Sequence, residues 1–139
     1  MPTFSQSSLD KLAACDNRLQ KILQEAIKYI DFTVLQGHRG EVEQNAAVAA
    51  GTSKLPWPQG NHNAMPSRAV DVAPWFQGPV SIDWKDLPAF ARLMGYIQRI
   101  SDEQGVKLRF GLDWNGNFRT LGDESFIDAP HVELAKDEL

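Results

Sequence analysis

The sequence lacks the features that are typical of disulfide-rich, membrane-spanning, secreted or nucleic-acid-binding proteins. It contains one cysteine, Cys15, so no disulfide can form within the chain, and we expect a small core side chain there. No stretch approaches the roughly 18 consecutive apolar residues of a membrane span. The N-terminus lacks a basic segment followed by an apolar run, so no signal peptide is predicted. The net charge is -4 without a Lys/Arg run, so nothing indicates binding to nucleic acid or an anionic membrane.

The remaining pattern is that of a folded protein with alternating helices and strands. With 139 residues, 42% of them hydrophobic, we expect a single domain spanning residues 1–139. The apolar spacing predicts one long amphipathic helix, capped by Ser7 or Ser8 and ending near Ile30. Further helices are predicted over residues 40–51 and 86–104, and strands over residues 31–37, 67–74, 106–111 and 130–134.

These elements predict an α+β fold with a small antiparallel or mixed sheet flanked by helices. The prolines and glycine of residues 52–66 exclude regular structure, and a loop of this length often carries function. Residues 112–129 are predicted to form a second long loop. We expect most of the four tryptophans to lie in the core.

One strand contains an unexpected acid. Asp71 interrupts the apolar run Ala-Val-Asp-Val-Ala, and a buried carboxylate needs a cation, a metal or hydrogen bonds. His62 precedes it by a short turn-forming segment, so the two side chains can reach one point. Pairing of Asp71 with Arg39 or Arg68 is the alternative.

A second group of polar residues leads into the last strand. Asp128 and His131 stand three positions apart in Asp-Ala-Pro-His, with Pro130 favouring an extended segment. Two histidines and one carboxylate are a common ligand set for a catalytic zinc, which keeps one position for water. A further carboxylate beside such a site can act as general base and then general acid. The alternative is that Asp128 only closes a turn.

These motifs together resemble a known family. The segments HNAMPSRAVDVAP (62–74) and DAPHVEL (128–134) are similar to the zinc peptidases of the VanY-like D-Ala-D-Ala carboxypeptidase family. Within it, phage endolysins of the L-alanyl-D-glutamate peptidase type are most similar, through GHR (37–39), IDW (82–84), LDW (112–114) and PHVEL (130–134). The likeness extends from Leu35 to Leu134. Gly60 and Ser67 stand where the family pattern has Ser and Gly.

The resemblance implies a role for each matching residue. His62, Asp71 and His131 would be zinc ligands. Asp128 would be the catalytic acid and base, and Arg39 would bind or polarise the substrate.

The resemblance also implies a function. It implies a peptidoglycan-degrading zinc endolysin that hydrolyses the stem peptide at the L-Ala–D-Glu bond. Such an enzyme waits in the host cytoplasm until a separate pore protein releases it to the wall. We expect a monomer whose partner is the stem peptide, with neither nucleic acid nor membrane involved. The alternatives are a D-Ala-D-Ala carboxypeptidase or dipeptidase and, from another class, an inactive zinc-containing wall-binding module.

Overall fold

The fold combines four α-helices with a four-stranded sheet. The structure, a computed structural model, describes residues 2–119, 124 and 126–138. In chain order the elements are α1 (Gln6–Ala13), α2 (Asn17–Ala26), β1 (Phe32–Gln36), α3 (Glu41–Ala49), a 3-10 turn (Asn61–Asn63), β2 (Ala69–Pro74), α4 (Leu87–Glu103), β3 (Leu108–Phe110) and β4 (His131–Leu134). The predicted α+β class is therefore confirmed. Part of the predicted loop 112–129 lies outside the described residues.

The sheet has the order β1-β2-β4-β3, and each neighbouring pair is antiparallel. Of the two sheet types expected, the antiparallel one is present. β2 and β4 are the central strands, and Asp71 stands directly opposite His131 across them. Glu133 of β4 stands opposite Arg109 of β3. The pairing thus brings distant segments of the chain side by side.

Alternation along the strands gives the sheet two chemically different faces. Val70 and Val72 of β2 and Val132 and Leu134 of β4 are buried in the hydrophobic core. Because successive side chains of a strand point to opposite faces, the residues between them point the other way. On β2 the residue that intervenes is Asp71, and on β4 the first and third positions are polar. One face therefore packs on helices, and the other carries the polar side chains.

The core lies between the sheet and the helices, with α1 packed on β1, α4 on β2 and β3, and α2 on α4. The largest fully buried apolar side chains are Phe90, Leu12, Leu19, Ile22, Leu23, Leu93, Ile97 and Leu134. Cys15 is buried and free, as expected. In the described part of the chain, no helix has both the length and the apolar character needed to cross a membrane.

The prediction of one long N-terminal helix was wrong, because the helix is interrupted around Cys15. The Asp16 amide donates to the Ser67 carbonyl, and the Ser67 amide donates to the Ala14 carbonyl, both at 2.8 Å. These bonds tie the break to the segment entering β2. Asp16 then caps α2 by accepting a hydrogen bond from the Arg18 amide. A periodic apolar stripe continues through this break, which is why the sequence did not reveal it.

Two smaller expectations were also wrong. Ser5, rather than Ser7 or Ser8, caps α1, while Ser8 is buried and accepts a hydrogen bond from the Val34 amide. None of the four tryptophans lies in the core. Trp75 and Trp84 are exposed, and the other two are half-buried.

Candidate metal centre

Three side chains converge on the polar face of the sheet. His62 comes from the 3-10 turn, Asp71 from the middle of β2 and His131 from the start of β4. Each offers one ligand atom, and these atoms all lie within 4.8 Å of one another. Asp71 Oδ1 is 3.2 Å from His62 Nε2 and 3.4 Å from His131 Nδ1. A group of this geometry can hold a metal ion.

The orientation of His62 is set by the backbone. Its ring is buried, and Nδ1 donates a hydrogen bond to the Gly37 carbonyl at 2.7 Å. The other ring nitrogen, Nε2, therefore faces Asp71 and His131 with its lone pair available in the neutral imidazole. A side chain at position 37 would stand 2.4 Å from the Lys11 carbonyl, so only glycine allows this close approach.

His131 is oriented by a carboxylate on its own strand. Its Nε2 donates to Glu133 Oε1 at 2.7 Å, which leaves Nδ1 for the metal site. Glu133 is buried, and its Oε2 accepts a hydrogen bond from the side-chain amide of Asn61 at 2.9 Å. Histidine ligands of metals commonly donate their second nitrogen to such a carboxylate, which fixes the tautomer and raises the basicity of the ligand.

The close approach of these three side chains shifts the pKa values of Asp71 and His131. Burial would raise the pKa of Asp71, but hydrogen bonds from His131 and His62 hold it well below its usual range. Burial opposes protonation of His131, yet its hydrogen bonds to Asp71 and Glu133 raise its pKa to about 9. Two imidazoles and one carboxylate that face one another can share a metal ion. A divalent ion would take the place of the proton that otherwise links His131 to Asp71.

Asp128 lies beside the three ligand atoms rather than among them. Its Oδ2 is 3.9 Å from His131 Nδ1, and its side chain is partly exposed to solvent. Burial, with the charge of Asp71, raises the pKa of the Asp128 carboxyl. Its backbone amide donates to the Gly111 carbonyl at 2.8 Å, and the Gly111 amide donates to the His131 carbonyl at 2.9 Å. The turn from Asp128 to His131 is thus held against Gly111.

Arg39 lies on the other side of Asp71. One of its terminal amino groups is 3.6 Å from Asp71 Oδ2, which shows the pairing that the sequence left open. Arg68 instead donates to the Ala135 and Glu138 carbonyls. The Arg39 guanidinium also donates to Gln36 Oε1 and Gln44 Oε1, at 2.8 Å and 3.0 Å.

Gln44 anchors this arginine through a saturated hydrogen-bond network. Its oxygen accepts from Arg39 and Asn63, and its amide donates to Ser53 Oγ and the Leu55 carbonyl. Gln44 is buried, so every polar atom of this side chain has its partners.

The site opens into a cleft of about 650 Å³ that His62, His131, Asp128 and Arg39 help to line. Trp114 contributes an aromatic wall, with its ring centroid 5.4 Å from that of His131. A second cleft of about 600 Å³ shares Asp128 and Arg39 with the first and is also lined by Trp84, Asp71 and apolar residues near Pro130. The metal site therefore borders two open regions of the surface.

The structure brings all five predicted site residues together: His62, Asp71, His131, Asp128 and Arg39. Sequence reasoning assigned no role to Glu133 or Gly111. Glu133 follows His131 by two positions in a strand, so alternation alone places both on one face. The contact between Gly111 and Asp128 has no comparable signal in the sequence.

The presence of glycine at position 60, where the family pattern has serine, is explained by its contact with Asn63. A Cβ atom at this position would stand 2.8 Å from Asn63 Oδ1, which accepts a hydrogen bond from the Gly60 amide. A serine here would therefore displace Asn63 from this contact.

Comparison with known proteins gives a consistent result. The family described as phage L-alanyl-D-glutamate peptidase matches residues 2–135. The L-alanyl-D-glutamate peptidase of Escherichia phage T5 is 36% identical over 135 residues, covering 94% of this chain and 96% of that protein. The crystal structure of the L-Ala D-Glu endopeptidase ChiX of Serratia marcescens superposes with a TM-score of 0.75 at 23% identity, covering 96% of this chain and 90% of ChiX. The latter likeness supports the fold.

Proposed function

The chain belongs to the phage L-alanyl-D-glutamate peptidase family, and we propose that it is a peptidoglycan-cleaving endolysin that hydrolyses the L-Ala–D-Glu bond of the stem peptide. The observation that carries this proposal is the convergence of His62, Asp71 and His131 beside Asp128 at an open cleft. A structural metal site has no need of a spare carboxylate or of a cleft.

We assign the metal as zinc, held by His62 Nε2, Asp71 Oδ1 and His131 Nδ1. The donor set supports this assignment, because two imidazole nitrogens and one carboxylate oxygen form a common ligand set of catalytic zinc. The hydrogen bonds to Gly37 and Glu133 direct the required nitrogens inward. When bound, the ion supplies Lewis acidity, which polarises a carbonyl and lowers the pKa of water to about 7.

Asp128 performs the proton transfers in this mechanism. Its carboxylate takes a proton from the attacking water and then gives it to the amine that leaves as the peptide bond breaks. Burial favours the protonated form of Asp128, which suits a group that must hold a proton between these steps. Arg39, fixed by Gln36 and Gln44, binds a substrate oxygen through charge-assisted hydrogen bonds.

The remaining parts of the proposal concern the cellular setting. The enzyme acts as one catalytic domain and as a monomer, without nucleic acid or membrane as a partner. It stays in the host cytoplasm until a separate pore protein releases it to the wall. The relative from phage T5 supports a phage origin of the enzyme.

The test is to incubate the protein with defined peptidoglycan fragments and to identify the products by mass spectrometry. We expect the L-Ala–D-Glu bond to be cleaved by the wild type, and the cleavage to be lost with Asp128→Asn or after treatment with a chelator. Added zinc should restore activity to the chelated wild type but not to Asp128→Asn. Removal of terminal D-Ala instead would move the substrate to the carboxypeptidase class. No cleavage by a folded, zinc-loaded protein would favour the wall-binding module.

A further inference from the structure

The cleft beside the metal site is more basic than the protein as a whole. The chain has a net charge of -4, yet the described residues that line the cleft include four cationic side chains and two acidic ones. The cations are Arg39, Lys54, Arg109 and Lys136, and the acids are Asp128 and Glu133. Glu133 is already engaged with His131. This cleft therefore favours an anionic group of the substrate.

Arg109 is the cation best prepared to bind such a group. Its Nε donates to the Trp114 carbonyl at 3.3 Å, and its guanidinium lies 4.7 Å from the Trp114 ring centroid. These contacts hold the planar guanidinium in place. Its Nη1 forms an ion pair with Glu133 Oε2 at 3.7 Å, which is too long for a hydrogen bond, and the side chain is 42% exposed. Among the described residues, no acceptor hydrogen-bonds to either terminal amino group of Arg109, so both are available to a ligand.

Lys54 adds a second positive charge on the same side. Its ammonium lies 4.7 Å above the ring of Phe126, and Phe126 in turn stacks on Trp114 at 6.4 Å between centroids. Trp114 is next to the metal ligand His131. Trp114 and Phe126 thus form an aromatic row that begins beside the metal site, with Arg109 stacked on the first ring and Lys54 on the second.

The second cleft has a different character. Among the described residues, it shares Arg39, Thr52 and Asp128 with the first cleft. The rest of its described lining is Asp71, Gln36 and five apolar side chains: Trp84, Leu87, Ile127, Ala129 and Pro130. The two sides of the metal site therefore suit different halves of a substrate, one anionic and one apolar or uncharged.

A glutamyl residue carries two carboxyl groups. Where the chain continues through the γ-carboxyl, the α-carboxyl is free, and it is attached to the carbon that bears the leaving amine. We propose that Arg109, assisted by Lys54, binds this free carboxylate, so that the first cleft holds the glutamyl side of the bond and the second cleft the alanyl side. A guanidinium whose two terminal amino groups still have hydrogen bonds to donate matches a carboxylate in bidentate fashion. The inference rests on the proposed function, since it concerns the substrate of that site.

The experiment compares two peptides that contain the L-Ala–D-Glu bond. In one the second glutamyl carboxyl is free, and in the other it is an amide of nearly the same shape. kcat and KM are measured for the wild type, Arg109→Gln and Arg109→Lys. The control is Arg99→Gln, which removes an exposed arginine that pairs with Glu103 on α4. Thermal unfolding and zinc affinity by chelator competition are measured for each protein.

We expect Arg109→Gln to lower kcat/KM by about 10- to 100-fold for the acid peptide and by less than about threefold for the amide, since the bond lost is one to a charged group. Arg109→Lys should recover part of the loss, and Arg99→Gln should have no effect on either peptide. A merely structural role would lower activity on both peptides equally, and that outcome, like no change on either, would overturn the inference while leaving the proposed function intact. Cleavage of neither peptide by the wild type would instead contradict the proposed function.

Discussion

Gly111 lies where the chain that carries Asp128 and His131 comes closest to the end of β3. A Cβ atom here would stand 2.2 Å from the Asp128 carbonyl oxygen, 2.9 Å from His131 Cβ and 3.0 Å from Asp128 Cβ. Its φ is outside the left-handed region, so the constraint is space rather than backbone conformation. The neighbours are backbone and Cβ atoms, which no side-chain rotation can move. Gly111→Ala must therefore displace the Asp128–His131 turn by about 1 Å.

The expected result is a large loss of activity with a smaller loss of stability. A displacement of about 1 Å in a catalytic group can lower the rate by about 100-fold. Overpacking a filled site costs about 1–3 kcal/mol in the free energy of unfolding. The measurements are kcat/KM on the L-Ala–D-Glu peptide, zinc affinity and urea unfolding.

Gly95 provides the matched control. It lies on the exposed side of α4, and a Cβ atom there would meet nothing within 4 Å. Gly95→Ala should leave activity unchanged and stabilise the protein by about 0.5–1 kcal/mol, because alanine loses less backbone entropy in a helix. If Gly111→Ala kept wild-type activity and zinc affinity, the argument that this contact positions Asp128 and His131 would be refuted.

Three further changes test other parts of the structure. Glu133→Gln should weaken zinc binding by about 10- to 100-fold, because it alters the hydrogen bond that orients His131. Chelator competition measures the zinc affinity. The control is Asp137→Asn, which changes an exposed acid paired with Lys107 and should leave zinc affinity unchanged. Gln44→Leu should lower the free energy of unfolding by about 2–4 kcal/mol in urea, since it leaves buried partners unsatisfied; a loss below about 0.5 kcal/mol would count against the network. Burial, with smaller effects of two nearby acids, raises the pKa of the Cys15 thiol from 9.0 to about 12. The unfolded chain therefore releases this proton first, so stability should fall as pH rises from 9 towards 12, and the fall should be smaller in Cys15→Ala.

The sequence predicted most of the secondary structure and the residues that meet at the site. The α+β class, the strands around Asp71 and His131, and the helix over residues 87–103 follow from periodicity and from Gly and Pro positions. The acid within Ala-Val-Asp-Val-Ala was the strongest local signal, because an apolar strand tolerates a carboxylate only with a partner.

Errors arose where distant contacts override local preference. The N-terminal helix breaks at Cys15 because the segment before β2 hydrogen-bonds to it, although the apolar stripe runs on. The tryptophans lie outside the core, where they line clefts or the surface, because aliphatic and phenylalanine side chains of the helices and strands already fill the interior.

The sequence by itself was enough to select His62, Asp71 and His131 as candidate metal ligands. Its alternation of polar and apolar residues also places Asp71 and His131 on the polar face of a sheet. Tertiary structure decided what surrounds them: the pairing of β2 with β4 that sets Asp71 opposite His131, and the approach of Gly111 to Asp128. The physical reason is the range of the forces involved. Periodicity and turn preferences act over a few residues, whereas register, close packing and the orientation of a ligand nitrogen depend on atoms that only folding brings together.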